Sequence, residues 1–428
     1  MKLNFWTLVL LMAGCNLTAL SAEPEVPVKR CATTEYWEQK IVANPSLARQ
    51  FQQENNYLEQ LTQRNTVNRQ SNAVVTIPVV VHVVWRTAIQ SISDAQILSQ
   101  IDVLNEDFAR LNADTNNTPA AFRPVAAPTN FRFCLAQVDT NGNPTNGIER
   151  RQTTVTSFST NDNVKRYANG GLNPWDQTRY LNIWVCNMGG GILGYGEFPT
   201  AAASATYGLV VTYNAFGRGA GFPLLASYNL GRTAVHEISH CFRLSHIWGD
   251  DNGACSGSDF CSDTPNQAGE NYGCPNYPVL DACQPSGNGV QFMNYMDYGD
   301  DICLNMFTNQ QSLRMSNAMN TFYPDLLSST ACESPTGISE LDKVFSFSIY
   351  PNPADGIFNL DLFLAPASIG DLQLTISDQL GRVVEQQLLT QPAGQVIQLD
   401  MRRHADGVYF LNLSNTSVNR TVRLILAR

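Results

Sequence analysis

Charge is scarce in this chain. Only 15% of its 428 residues are Asp, Glu, Lys or Arg, and the formal net charge is −10. There is no dense basic stretch to neutralise phosphates, so a nucleic-acid partner is not expected. Beyond the N-terminus no apolar run is long enough to span a bilayer, so no transmembrane anchor is expected either. Histidine is rarer still, with five in all. Cysteine is not rare: eleven residues favour an oxidising compartment, yet none lies in 344–428.

The N-terminus agrees with export. Lys2 precedes an apolar run from Phe5 to about Ala13, and cleavage after Ala22 would make 1–22 a signal peptide. A competing reading is LMAGC at Leu11 to Cys15, which resembles a lipoprotein box apart from Met12. Residues 23–72 read as a helical pro-segment, interrupted at Pro45 and ending in a polar linker with Arg64 and Arg69. A catalytic domain is expected over 73–328. It opens with the β-rich VVTIPVVVHVVW of Val74 to Trp85, in which His82 reads as a core residue. Ile92, Ile97, Ile101, Leu104, Phe108 and Leu111 place a helix over 91–111, capped by Ser93 or Asp94. Strands are expected at Phe131 to Val138, Tyr180 to Cys186 and Gly208 to Tyr213. The Gly-rich segment Gly189 to Gly196 lacks the following helix of a phosphate loop and reads as a flexible rim or bulged edge strand. Trp248 to Asp301 is loop-like and needs disulfides or ions as staples. A helix near Gln310 to Thr321 closes the domain. After a linker at 329–345, residues 346–428 show short alternating strands and turn signals, the pattern of a small β-sandwich.

Three of the five histidines fall in HEISHCFRLSH, residues 236–246. On a helix expected to start near Gly231 to Thr233, with Thr233 as cap, His236 and His240 share one face. His246 joins them only if the helix stops and the chain doubles back. Three such ligands hold a zinc ion and leave one position for water, whose proton Glu237 would accept. The substrate implied is a peptide bond. The spacing is that of the metzincin zinc proteases, except that the pattern has Gly where this chain has Arg243. Gly takes a left-handed turn at no steric cost, and another residue there costs on the order of 1 kcal/mol.

Further segments carry a more specific resemblance. HEISHCFRLSHIWGDD, SDTPNQAGENYGCP and NYMDYGDDICLNMFT together resemble the pappalysin family of metzincins over roughly residues 75–325. That resemblance implies an α+β fold, with a metzincin-type catalytic domain built from a twisted sheet and the active-site helix over an irregular lower subdomain. Met296, rather than Met293, would form the Met-turn beneath the ligands, and Tyr298 would stabilise the oxyanion. Asp301 would sit at the base of the pocket beyond the scissile bond and favour Arg or Lys there. Structural Ca2+ is implied near Asp250, Asp251, Asp259, Asp263 and Thr264, which carry hard oxygen donors. Spacing leaves three connectivities open for Cys255, Cys274, Cys283 and Cys303; the resemblance implies Cys255 with Cys283 and Cys274 with Cys303. Cys31 in RCAT is similar to the family's pro-segment cysteine, which occupies the fourth zinc position in a latent precursor. Cys134 and Cys186, both in expected strands, are read as a pair, and Cys241, Cys261 and Cys332 are left unassigned.

SIYPNPADGIFNLDL, ISDQLGRVVEQQ and GVYFLNLSN resemble the C-terminal sorting domain of type IX secretion cargo. The chain is therefore expected to be a secreted, monomeric zinc endopeptidase acting on proteins or peptides, handled by the type IX secretion machinery and released or attached at the cell surface. The alternative is a non-catalytic adhesin on a decayed metzincin fold, with Arg243 as the sign of decay. Retention of Glu237 argues against it.

Overall fold

The computed structural model describes residues 28–65, 73–202, 204–333, 347–362, 370–392, 394–415 and 419–428. The signal-peptide and lipoprotein-box readings, Arg69 and most of the 329–345 linker lie outside these residues. The chain divides into two units, ending and starting at Pro335 and Thr336.

In the first unit, α1 (Thr33–Ala43) and α2 (Ser46–Asn65) are separate helices. Pro45 divides them: proline disfavours helical geometry in the residue before it, and Asn44 is extended at φ −143°. Then come β1 (Val75–Trp85), α3 (Asp94–Phe108), β2 (Ala126–Ala127), β3 (Phe131–Leu135), β4 (Ile148–Gln152), β5 (Leu181–Cys186), β6 (Gly194–Gly196) and β7 (Leu209–Thr212). They are followed by α4 (Arg232–Cys241), β8 (Phe307–Thr308), α5 (Asn309–Phe322) and α6 (Pro324–Leu327). The main sheet has the order β3-β1-β5-β7-β6, with β4 also paired to β1. β1 is long enough to pair with β3 along its first half and β4 along its second, both parallel. It is buried on both faces from Ile77 to Val84, which is why it reads as an unbroken apolar run rather than an alternating one. His82 is a core residue as expected: its nitrogens lie 2.8 Å from Glu149 and 2.9 Å from Asn182.

The predicted helix over 91–111 is shorter. Ser93 caps it, accepting from Gln96 N at 3.2 Å, and it stops at Phe108 because Arg110 turns left-handed at φ 54°. The Gly-rich segment supplies β6, an edge strand antiparallel to β7. Between α4 and β8 the only helical piece is a 3-10 turn at Asp301–Cys303. Cys134 does not pair with Cys186. Those residues lie on β3 and β5 with β1 between them, roughly 9.6 Å apart by strand spacing alone, beyond the ~7 Å reach of a disulfide. Cys134 instead bonds to Cys332, tying the end of the unit to the sheet.

The second unit holds β9 (Ser348–Tyr350), β10 (Ile357–Asp361), β11 (Leu372–Asp378), β12 (Val383–Leu389), β13 (Val396–Asp400), β14 (Gly407–Ser414) and β15 (Asn419–Leu426). They form two antiparallel sheets, β13-β10-β9 and β12-β11-β14-β15. Alternate residues such as Phe358, Leu360, Leu374, Ile376, Leu411 and Leu413 meet in one core, the signature of a sandwich.

Candidate metal centre

α4 begins after Gly231, whose φ of 77° provides the turn into the helix. Thr233 lies inside the helix and does not cap it. The amphipathic spacing brings His236 and His240 to one face, and all ten residues of α4 are buried. After Phe242 the chain reverses through Arg243 at φ 72°, and Leu244 N donates to Ser239 O at 2.9 Å. That turn delivers His246. His240 Nε2 lies 3.1 Å from His236 Nε2 and 3.1 Å from His246 Nε2.

The opposite ring nitrogens are already used. His236 Nδ1 donates to Tyr295 O at 2.7 Å and His240 Nδ1 to Leu244 O at 2.8 Å, while His246 Nδ1 faces Asp250 Oδ1 at 2.9 Å. The Nε2 atoms of His236 and His240 therefore converge as bare lone pairs in a buried space. Burial and the neighbouring imidazoles hold both rings well below the usual histidine range. Such an arrangement repels itself unless a cation sits between the nitrogens, and a neutral-imidazole donor set with a buried hydrogen-bonded shell suits a transition metal. Cys31 Sγ completes the group, within 4.8 Å of the other donor atoms. It lies 3.5 Å from both His240 Nε2 and Glu237 Oε2.

The N-terminal segment that brings Cys31 runs along the edge strand. Lys29 N donates to Gly191 O and Ala32 N to Gly194 O, each at 2.9 Å, and Lys29 pairs parallel to Ile192. Thr33 Oγ1 donates to Glu237 Oε2 at 3.1 Å. Glu237 Oε1 is buried with no hydrogen-bond partner among the described residues. Burial pushes the Glu237 carboxyl up to about 7, although hydrogen bonds from Cys31 and Thr33 oppose it. Arg30 Nη1 reaches Asp301 Oδ1 at 2.9 Å in a fully buried pair. Asp301 Oδ2 accepts from Leu230 N at 2.9 Å and Arg232 N at 3.2 Å, so this acid is fixed to the start of α4. Met296 is buried in the main core behind a tight turn, and the preceding carbonyl, Tyr295 O, is the one that orients His236. Met293 packs elsewhere, with Phe122, Phe292 and Met306. Tyr298 Oη lies 3.2 Å from His246 Nε2.

Known proteins place this geometry. The family described as pregnancy-associated plasma protein-A matches residues 159–320. Mature mirolysin of Tannerella forsythia, solved in complex with a cleaved peptide, is 49% identical, covers 62% of this chain and 100% of its own, and superposes with a TM-score of 0.59. A promirolysin mutant from the same organism is 44% identical, covering 72% of this chain and 100% of its own at a TM-score of 0.65. An extracellular metalloprotease of Pyricularia oryzae is 30% identical over 322 residues, 74% of this chain and 96% of that protein. The chain belongs to the pappalysin family of metalloproteases. This pappalysin is a secreted metalloendopeptidase with a catalytic metal, and residues 348–427 match the secretion system C-terminal sorting domain that carries type IX cargo. No described helix is long and apolar enough to cross a membrane.

Arg243 is the residue on which this pappalysin departs from the metzincin pattern. Its guanidinium is buried against α2: Nε donates to Asn55 Oδ1 at 3.1 Å, Nη2 to Phe51 O at 3.2 Å, and Nη1 lies 3.1 Å from Glu54 Oε2. Nη1 also meets Pro199 O, and the guanidinium stacks 3.8 Å from the Phe51 ring centroid. Burial lowers its pKa to about 9 despite the Glu54 carboxylate. Arg314 Nε donates to Arg243 O at 3.0 Å and clamps the turn from behind.

The five residues considered for calcium do not converge on one point. Asp250 faces His246. Asp251 accepts backbone N–H groups from Gly253, Ala254, Ser256 and Gly257. Asp263 binds Thr308 Oγ1 and Gln310 N. Only Asp259 and Thr264 meet, at 2.8 Å, beside the carbonyl of Cys261. The disulfides Cys255–Cys283 and Cys274–Cys303 are both present as the resemblance implied. Sequence reasoning missed Arg30, Thr33 and the partners of Arg243. Arg30 carried a signal, a basic residue directly before the cysteine, whereas the Arg243 partners are nearly two hundred residues away in sequence.

Proposed function

We propose that this chain is made as a latent precursor of a zinc endopeptidase, in which residues 23–72 are the pro-segment, 73–328 the catalytic domain and 346–428 the sorting domain. The observation that carries the reading is Cys31 Sγ lying among three histidines while Thr33 holds Glu237. His236, His240 and His246 would hold the zinc, with Cys31 as the fourth ligand of the latent form, and a tetrahedral N/S donor set suits that ion. When bound, zinc supplies a Lewis acid that acidifies water and polarises the scissile carbonyl.

With Cys31 withdrawn, Glu237 is free to take the proton of the attacking water. It then delivers that proton to the amine nitrogen as the C–N bond breaks. Its carboxyl, pushed up to about 7 by burial, is matched to both halves of that task. Tyr298 Oη, beside His246, would donate to the developing oxyanion. Asp301 would receive an Arg or Lys side chain following the cut. Arg30 supports this assignment by making the same ion pair from the pro-segment. The pro-segment runs parallel to β6, and a substrate adding to the edge in the productive sense would run antiparallel. That reversal would spare the pro-segment from cleavage while it fills the groove. Asp259, Thr264 and the Cys261 carbonyl are the oxygen donors proposed for a structural calcium.

The test compares the full chain and the chain lacking residues 1–72 on casein and on a peptide library, with and without chelator, alongside Glu237→Ala. The expected outcome is chelator-sensitive cleavage only after pro-segment removal, lost in Glu237→Ala, with Arg or Lys enriched after the cut. Equal activity of both forms would refute latency, and activity retained in Glu237→Ala would refute the base.

A further inference from the structure

A second acidic place lies along the same groove. After Cys31 the pro-segment passes Gly196, whose N donates to Thr33 Oγ1 at 2.8 Å, and inserts Tyr36 beyond it. Tyr36 Oη is 2.8 Å from Asp162 Oδ2 and 3.0 Å from Glu197 Oε2. Its ring packs 4.8 Å from Tyr195 among Phe158, Val164 and Met188. Lys40 Nζ lies 2.5 Å from Glu197 Oε1. One further cation is present, Lys165, 3.0 Å from Asp162 Oδ1 and 3.6 Å from Glu197 Oε2. Burial pushes the Glu197 carboxyl up, but Lys165 and Lys40 outweigh it and hold the group at about 2.

The charges do not balance without the pro-segment. Asp162 and Glu197 carry two negative charges against one positive charge on Lys165, and Lys40 supplies the missing one. Tyr36 cannot do so, because a phenol has one proton to donate between two carboxylates. Removing residues 28–65 leaves an apolar-walled pocket with a carboxylate pair at its base and one uncompensated charge. An alkyl stem ending in a cation fits such a pocket, since the stem lies on the apolar wall and the head reaches the acids.

Direction follows from the order of contacts. Along β6 the pro-segment meets Asp301 through Arg30, then the histidines through Cys31, then Glu197 through Tyr36. The two acidic places therefore lie on opposite sides of the metal centre. We propose that Asp162 and Glu197 form a second acidic subsite, which binds a Lys or Arg side chain on the N-terminal side of the scissile bond. The inference rests on the latency reading, because the pro-segment must leave to open the pocket.

The test uses the mature enzyme and peptides with Arg fixed after the cut, each preceding position being varied among Lys, Arg, Tyr, Leu and Glu. At one preceding position Lys or Arg is expected to raise kcat/KM about tenfold over Leu. Glu197→Gln and, separately, Asp162→Asn are expected to collapse that ratio while leaving the Arg-over-Leu ratio after the cut intact, a pattern that a general folding defect would not produce. No basic preference at any preceding position, a preference there for Tyr or Leu, or a ratio unmoved in both variants would overturn the subsite. A full chain as active as the mature form on the same peptides would refute the latency reading instead, and the subsite with it.

Discussion

Arg243→Gly restores the metzincin residue, and the structure predicts opposite consequences for the two forms of the protein. Arg243 sits at φ 72°, where Gly relieves about 1 kcal/mol of backbone strain. In the full chain the guanidinium also holds α2 through Asn55, Phe51 and Glu54. Breaking a buried ion pair typically costs about 3–5 kcal/mol; Glu54 lies near the surface and can rehydrate, so about 3 kcal/mol is the better figure. Net of the strain relief, the full chain should lose about 2 kcal/mol, or roughly 4–8 °C in the melting temperature of its catalytic unit. Without residues 28–65 only the Pro199 carbonyl contact is lost, a cost of about 1 kcal/mol that offsets the strain. The melting temperature of the mature form should then hold within about 3 °C. The assay is calorimetric unfolding of the full chain and the mature form, each with and without Arg243→Gly, in the same buffer. An equal loss in both forms would refute the reasoning, since it would mean that α2 draws nothing from the guanidinium.

Cys31→Ala should shorten the life of the precursor. Gel analysis of purified full chain is expected to show self-cleavage faster by at least about tenfold, the equivalent of ~1.4 kcal/mol; an equally inert variant would remove Cys31 from the latch. Calcium at one hundred times its Kd would stabilise by about 2.7 kcal/mol, so a calcium-selective chelator should lower the melting temperature by roughly 5–10 °C. Asp259→Ala should abolish that response, and a chelator effect that survives the substitution would place the ion elsewhere. Glu197 has a carboxyl pKa depressed from 4.5 to about 2, so its contribution is present above pH 4.5 and is lost as pH falls toward 2. Stability of the full chain measured across that range should fall less steeply in Glu197→Gln, and parallel curves would refute the assignment.

Much of the molecule was legible because its signals are local. The HExxH spacing places two histidines on one helical face whatever surrounds the helix, and the apolar run from Ile77 to Val84 marks a strand buried on both sides. Alternation in 346–428 is equally local, and it yields the sandwich. Thr233 misled because a capping preference was read without the positive φ of Gly231, which sets the helix start one residue earlier.

What the sequence determined by itself, then, was the periodic and closely spaced features: the helix with His236, Glu237 and His240, the strands, and the two-unit division. Tertiary structure alone decided the pairings between distant segments. Cys134 meets Cys332 because β1 separates it from Cys186; Arg243 is accommodated because α2 covers it; Arg30 and Tyr36 find Asp301 and Glu197 because the pro-segment lies along β6. Side-chain periodicity reports which face of an element is buried. Strand order and docking decide what that face meets, and no local pattern encodes them.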